Sequence, residues 1–185
     1  MSYTDEAKNA RANDNFLKGN IFKEIVKAML EKSGYTVYPY GYESALPDVK
    51  SKLRDARDSE TTRRIKSSPD LLVYDDQMND LMLVEVKMRS RTPPQIKPRE
   101  IENYKEFWND CILVVVIPEG NVFYAQRIRP LETKEVYYRV EDFEKFQDIF
   151  TRVRTEDVSH YRNIALQNMR TRKPYSSYRS GYRRY

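Results

Sequence analysis

The run Leu81-Met-Leu-Val-Glu-Val-Lys-Met88 holds the residues of this sequence best placed to do chemistry. Side chains alternate between the faces of a strand. Met82, Val84, Val86 and Met88 then form one wholly apolar face, which must be buried. Leu81, Leu83, Glu85 and Lys87 share the other, which begins apolar and ends with a carboxylate and an ammonium. Burying unpaired charge is costly, so a strand so largely covered seldom carries two charges without a use for them. Leu71-Leu-Val-Tyr74 reads as a second strand, and Asp75-Asp-Gln-Met-Asn-Asp80 between the two is turn chemistry, which predicts a hairpin. With an even-numbered loop centred between Gln77 and Met78, opposed residue numbers sum to 155 and Asp70 faces Glu85. Directly opposed residues have Cβ atoms about 4.5–5.5 Å apart, where like charges repel. Two carboxylates held that close imply a divalent cation between them, and oxygen ligands of this kind suit magnesium or manganese. The backbone carbonyl of Val86 could supply a third ligand. An odd-numbered loop would shift the register by one and weaken this reading. Taken singly, Glu85 and Lys87 fit an ordinary surface ion pair, which is common and weak.

Other elements must position these groups. From 15 to 32 the apolar residues Phe16, Leu17, Ile21, Phe22, Ile25, Val26, Met29 and Leu30 recur at spacings of three and four, which predicts an amphipathic helix. Ser33-Gly34 ends it, with Gly34 in the position that favours a left-handed backbone. Tyr35 to Tyr40 reads as a strand. Residues 43–68 are polar and charged, with seven basic and three acidic side chains between 50 and 66, and read as a partly helical insertion across the surface. Glu100 to Asn109 is predicted helical. Cys111 to Ile117 is a continuous apolar run, typical of a central strand covered on both faces. Val122 to Ile128 is a further strand. Phe143, Phe146, Ile149, Phe150 and Val153 at helical spacing predict a helix over 141–154, and a last short helix is expected over 156–169. This order of elements implies an α/β domain with a mixed central sheet flanked by helices.

Pro69-Asp70, fourteen intervening residues and Glu85-Val86-Lys87 resemble the PD-(D/E)XK motif. That nuclease superfamily includes restriction enzymes and archaeal Holliday junction resolvases. The segment Lys18-Gly-Asn-Ile-Phe-Lys-Glu24, with Ile25-Val26, Met29-Leu30 and Gly34-Tyr-Thr-Val37 after it, is similar to the first helix of the resolvases, and Glu24 falls where their helix acid falls. The likeness covers about residues 15–128. It implies a restriction endonuclease-like core over residues 1–153, followed by a C-terminal helix and tail over 154–185. It implies a Mg²⁺-dependent (or Mn²⁺-dependent) endonuclease acting on DNA, branched or single-stranded DNA included, and it admits a homodimer. Asp70 and Glu85 would bind the ion with the Val86 carbonyl, Lys87 would position or activate the attacking water, and Glu24 would support a second ion. The insertion at 43–68 departs from the resolvases and contains a second Pro-Asp pair, Pro47-Asp48, whose distance to Glu85 is too long for a simple hairpin. Glu100-x-x-x-Tyr104 only faintly resembles the Gln-x-x-x-Tyr of exonuclease branches and carries little weight. The alternative function is a nucleic-acid-binding or assembly protein that keeps the fold without turnover; a third class is an RNA-binding component of a larger complex.

Charge supports a polyanionic partner. The net charge is +5, yet Arg170, Arg172, Lys173, Arg179, Arg183 and Arg184 fall in the last sixteen residues, which hold no acid; the remainder stands at −1, with 27 basic and 28 acidic residues. The tail interleaves these cations with Tyr175, Tyr178, Tyr182 and Tyr185, a composition suited to phosphate contacts and base stacking, with a protein partner as the alternative. Arg63, Arg64 and Lys66 before Asp70, and Arg89, Arg91, Lys97 and Arg99 after Lys87, surround the motif and are expected to contact nucleic acid. The single cysteine, Cys111, reads as a buried strand thiol, and no intrachain disulfide can form. His160 reads as a surface residue. With one cysteine and one histidine, nothing points to zinc. A polar amino terminus and no aliphatic run longer than six residues predict an intracellular, non-secreted chain with no membrane partner.

Overall fold

The computed structural model describes residues 19–45, 47–89, 93–118, 122–131 and 137–170. Its strands are β1 (Thr36–Pro39), β2 (Leu71–Asp75), β3 (Asp80–Met88), β4 (Gln95–Ile96), β5 (Ile112–Ile117), β6 (Val122–Arg127), β7 (Tyr138–Arg139) and β8 (Glu144–Lys145). Six of them form one mixed sheet in the order β1-β2-β3-β5-β6-β8, while β4 and β7 pair separately. Within the large sheet β3 and β5 run parallel and the other neighbours antiparallel. The helices are α1 (19–32), α2 (Tyr42–Ala45), α3 (Lys50–Asp55), α4 (Glu60–Lys66), α5 (Glu102–Phe107), α6 (Phe146–Ile149) and α7 (Thr155–Arg170). This is the mixed α/β architecture expected from the order of the sequence patterns.

All six residues of β5 are buried, because both faces of the sheet are covered. Ile112, Val114 and Val116 join Phe22, Val26, Met29 and Leu30 of α1 and Phe146 and Phe150 in one core. Leu113, Val115 and Ile117 join Ile96, Ile101, Tyr104, Val140 and Phe143 in the other. Each large aliphatic or aromatic side chain so buried contributes about 1.5–3 kcal/mol, so the middle of the sheet is the rigid part of the molecule. The strand that carries Glu85 lies against it, between β2 and β5.

Helix α1 stops where the glycine directs: Gly34 has φ +91°, and an added Cβ would meet the Arg152 guanidinium. The segment between β1 and β2 forms α2, a 3-10 turn at Pro47–Val49, α3 and α4. The expected helix over 141–154 is not one helix. A 3-10 turn (Val140–Asp142), β8 and α6 occupy that stretch. The physical reason is that Phe143 and Phe146 serve opposite cores: Phe143 packs on one face of the sheet and Phe146 on the other, with β8 paired to β6 between them. Three-residue spacing read as helical was here the spacing of a chain crossing a sheet edge. Helix α7 does span the region predicted for the last helix. No helix among the described residues is long and apolar enough to cross a membrane.

Candidate active site

The β2–β3 hairpin turns through residues 76–79. Asp75 Oδ1 accepts the Gln77 N–H at 3.0 Å, and Asn79 takes φ +51°, a conformation asparagine tolerates. The loop is therefore even-numbered. Leu71 pairs with Val84, Leu72 with Leu83, Val73 with Met82, Tyr74 with Leu81 and Asp75 with Asp80. Every pair sums to 155, and one further step places Asp70 against Glu85.

Asp70 is held from three sides. Its backbone carbonyl accepts the N–H groups of Tyr40 and Gly41 at 2.9 and 3.2 Å, tying it to the end of β1. Its Oδ2 accepts the Val86 N–H at 3.0 Å, and its Oδ1 lies 2.7 Å from Lys23 Nζ on α1. Helix α4 fixes the approach to it. Ser59 caps that helix by accepting the Thr62 N–H, Arg63 pairs with Glu106 of α5 at 2.8 Å, and Trp108 Nε1 donates to Ser67 Oγ at 3.3 Å. The proline of the Pro-Asp pair has its own part. The same register brings Val86 opposite Pro69, which has no N–H to give. N–H and C=O of one strand residue point to the same edge, so the Val86 carbonyl faces Asp70 without the ladder donor a different residue at 69 would supply.

Glu85 is 7% exposed. Its Oε1 accepts from Lys87 Nζ at 2.9 Å, and the Tyr104 hydroxyl of α5 also interacts with it. Lys87 Nζ stands 5.3 Å from the centre of the Tyr104 ring. Burial pushes the Glu85 carboxyl above its ordinary value, Lys87 pulls it down, the negative charge of Asp70 adds to the rise, and the Tyr104 hydrogen bond opposes it; the net direction is upward. Burial also raises the Tyr104 and Cys111 pKa values, with the charge of Glu85 adding to each. For Lys23 burial acts to lower the pKa, but the adjacent Asp70 carboxylate outweighs it and the net direction is upward, with Glu85 and Glu43 contributing.

The structure thus brings together Asp70, Glu85, the Val86 backbone and Lys87. It does not bring Glu24 to them. Glu24 is exposed and lines a hollow of about 420 Å³ between α1 and α7 with Ile21, Ile25, Tyr161 and Ile164. Lys23, one residue earlier, is the helix side chain that reaches Asp70, because the buried stripe of Phe22, Val26 and Met29 sets the helix phase so. Asp48 is exposed in its 3-10 turn, and Asp70 is the acid of the two Pro-Asp pairs beside Glu85.

The expected nucleic-acid contacts divide. Arg64, Lys66 and Lys97 are exposed. Arg63 is engaged by Glu106 and lies over the Phe107 ring. Arg89 is turned inward: Nε donates to the Gln95 carbonyl, Nη1 to the Met88 carbonyl, and Nη2 pairs with Glu100. That arrangement anchors the end of β3 to β4. Arg91, Arg172, Lys173, Arg179, Arg183 and Arg184 lie outside the described residues, and of Arg170 only the backbone, at the end of α7, is described. Two members of the cluster, Lys23 and Tyr104, were missed in the sequence. Tyr104 had a signal in Glu100-x-x-x-Tyr104; Lys23 had none, since adjacent helix residues point about 100° apart and periodicity does not fix which of them looks at a strand.

Among the described residues no group of three or more His, Cys, Asp and Glu side chains could hold a metal ion. The donors gathered here are two carboxylates and a carbonyl. That hard-oxygen set fits Mg²⁺ or Mn²⁺, which accept few protein ligands and keep several waters, and it does not fit a zinc cage. The two ammonium groups already drawn to these carboxylates, Lys23 on Asp70 and Lys87 on Glu85, show the attraction of the pair for cations.

No protein-family model matches this chain, and no curated protein does. Among solved structures, the chain is similar to Hjc, a Holliday junction resolvase of the archaeal hyperthermophile Archaeoglobus fulgidus, at a TM-score of 0.45 and 13% identity, over 72% of this chain and 98% of that one.

Proposed function

We propose that this chain is a metal-dependent endonuclease that hydrolyses phosphodiester bonds in DNA, branched or single-stranded DNA included. One observation carries the reading: the hairpin register sets Asp70 against the buried Glu85, with Lys87 on the same face of the strand. Asp70, Glu85 and the Val86 carbonyl would hold Mg²⁺ or Mn²⁺. When bound, such an ion polarises the scissile phosphate and makes a nearby water more acidic. The protein groups do the rest. The 2.9 Å contact with Glu85 holds Lys87 on this face of the strand, and the Tyr104 hydroxyl acts on Glu85, so the ammonium would lie beside a phosphate bound at Asp70 and Glu85. There Lys87 orients the attacking water and offsets the charge that builds on the phosphate. Exposed Arg64, Lys66 and Lys97 supply backbone contacts that position without specifying sequence.

A second reading, a nucleic-acid-binding or assembly protein without turnover, draws support from Lys23, whose ammonium sits on Asp70 where a divalent ion would be held. The two are separated by incubating the protein with labelled duplex, single-stranded and four-way-junction DNA, and with RNA, with and without Mg²⁺ or Mn²⁺. Metal-dependent cleavage that is lost in Asp70→Asn, Glu85→Gln and Lys87→Ala supports the enzyme. Binding without cleavage of any substrate in either ion refutes it.

A further inference from the structure

The helix residue that faces the paired carboxylates is a lysine. Lys23 Nζ lies 2.7 Å from Asp70 Oδ1, and both side chains are mostly covered, at 16% and 18% exposure. The other Asp70 oxygen is committed to the Val86 N–H, and Glu85 is committed to Lys87 and Tyr104. Asp70 Oδ1 is therefore the carboxylate oxygen of the pair through which an incoming ion would most directly reach Asp70, and it carries an ammonium. We propose that Lys23 is a resident counter-cation of this site, a positioning residue that neutralises Asp70 in the metal-free protein and that a divalent cation must displace or share in order to bind. This rests on the reading of Asp70 and Glu85 as a cation site and adds to it a built-in competitor, one residue before Glu24, the helix acid that the motif resemblance assigns to the site. Its place follows from the fold. The backbone of Asp70 is clamped by Tyr40 and Gly41, and α1 is clamped by Phe22, Val26 and Met29, so neither partner can swing far away. Only the flexible lysine stem can yield.

The consequence is that the protein should bind divalent cations weakly when alone. A polyanion in the site would draw the displaced ammonium to a phosphate and remove the competition. Lys23→Met keeps the stem and removes the charge; Lys23→Arg keeps the charge. Mn²⁺ binding to the full chain is measured by titration calorimetry and by the loss of the free-ion electron paramagnetic resonance signal, without nucleic acid. Folding is checked by circular dichroism. Removing one competing charge-assisted hydrogen bond should tighten Mn²⁺ binding in Lys23→Met by about tenfold or more, while Lys23→Arg stays near the starting protein. Tighter binding in Lys23→Met, or binding there where the starting protein shows none, supports the proposal. Equal or weaker binding in a folded Lys23→Met overturns it while leaving the cation site standing. Absence of Mn²⁺ binding in all three proteins overturns both the role of Lys23 and the reading of Asp70 and Glu85 as a cation site.

Discussion

Tyr104→Phe removes a single hydroxyl from the floor of the site and little else. The phenyl ring stays, so the packing in the second core and the position of Lys87 Nζ 5.3 Å from the ring centre are retained. What is lost is the interaction of the hydroxyl with Glu85, a carboxylate that is 7% exposed. A hydrogen bond to a charged group contributes about 1.5–3 kcal/mol. For a chain of this length 1 kcal/mol moves the melting temperature by about 2–4 °C, which gives a loss of about 3–12 °C. The dependence on pH is the sharper test. Burial already holds the Glu85 carboxyl above its ordinary value, and Tyr104 acts against that rise. A carboxyl whose folded pKa is raised binds more protons in the folded state than in the unfolded one. Stability therefore falls as pH climbs from the unfolded value, about 4.3, through the raised folded one. Without Tyr104 the folded value rises further, so the variant falls further. Urea unfolding in EDTA should show a gap between the two proteins that is widest near neutral pH. Below about pH 4 the gap should narrow to the roughly 0.5–1.5 kcal/mol of a neutral hydrogen bond. A gap that does not change with pH, or no gap, would refute the assignment of Tyr104 as a donor to an ionised Glu85.

Further outcomes test other parts of the molecule. Asp70→Asn, Glu85→Gln and Lys87→Ala should each abolish cleavage, measured with saturating Mg²⁺, while circular dichroism shows the fold kept. Arg89→Ala should lower stability by about 1–3 kcal/mol in urea unfolding, because its three nitrogens are spent on Gln95, Met88 and Glu100. The salt dependence of its DNA affinity should stay unchanged, and a flatter slope would mean that Arg89 meets phosphate after all. Deleting residues 170–185 from the cleavage-dead Glu85→Gln protein should weaken DNA binding and flatten the plot of log affinity against log salt. The slope should change by about 0.7–0.9 for each phosphate that the tail no longer neutralises. An unchanged slope would turn attention to a protein partner for the Tyr/Arg tail.

The strand that carries Glu85 and Lys87 and its hairpin were legible in the sequence because two independent patterns constrained them. Alternation on β3 decided which residues share a face, and turn chemistry between Asp75 and Asp80 predicted a hairpin. An even-numbered loop, which the structure has, then brings Asp70 to Glu85. The six-residue run of β5 announced its burial on both faces equally well. Where the chain leaves such regular patterns the sequence misled. Phe143, Phe146 and Phe150 have helical spacing, but spacing records which residues are buried and is silent on whether they are buried in one core or in two.

The same limit explains the departures within the site. A helix contributes to a strand-borne site through whichever residue its packing turns inward, and that phase is set by contacts between α1 and the sheet, not by residue types on α1. Glu24 and Lys23 are both polar and adjacent, and the stripe of Phe22, Val26 and Met29 chose the lysine. Arg89 illustrates the converse. Its basic charge beside the motif placed it with the phosphate contacts, yet a guanidinium can as readily close a gap in the protein as reach a ligand. At Arg89 the carbonyls of Met88 and Gln95 and the carboxylate of Glu100 take up the guanidinium's donors. Arg64, Lys66 and Lys97, by contrast, are exposed. The separation between a cation that holds β3 in place and one left at the surface is thus made by the acceptors that surround each, which only the folded chain assembles.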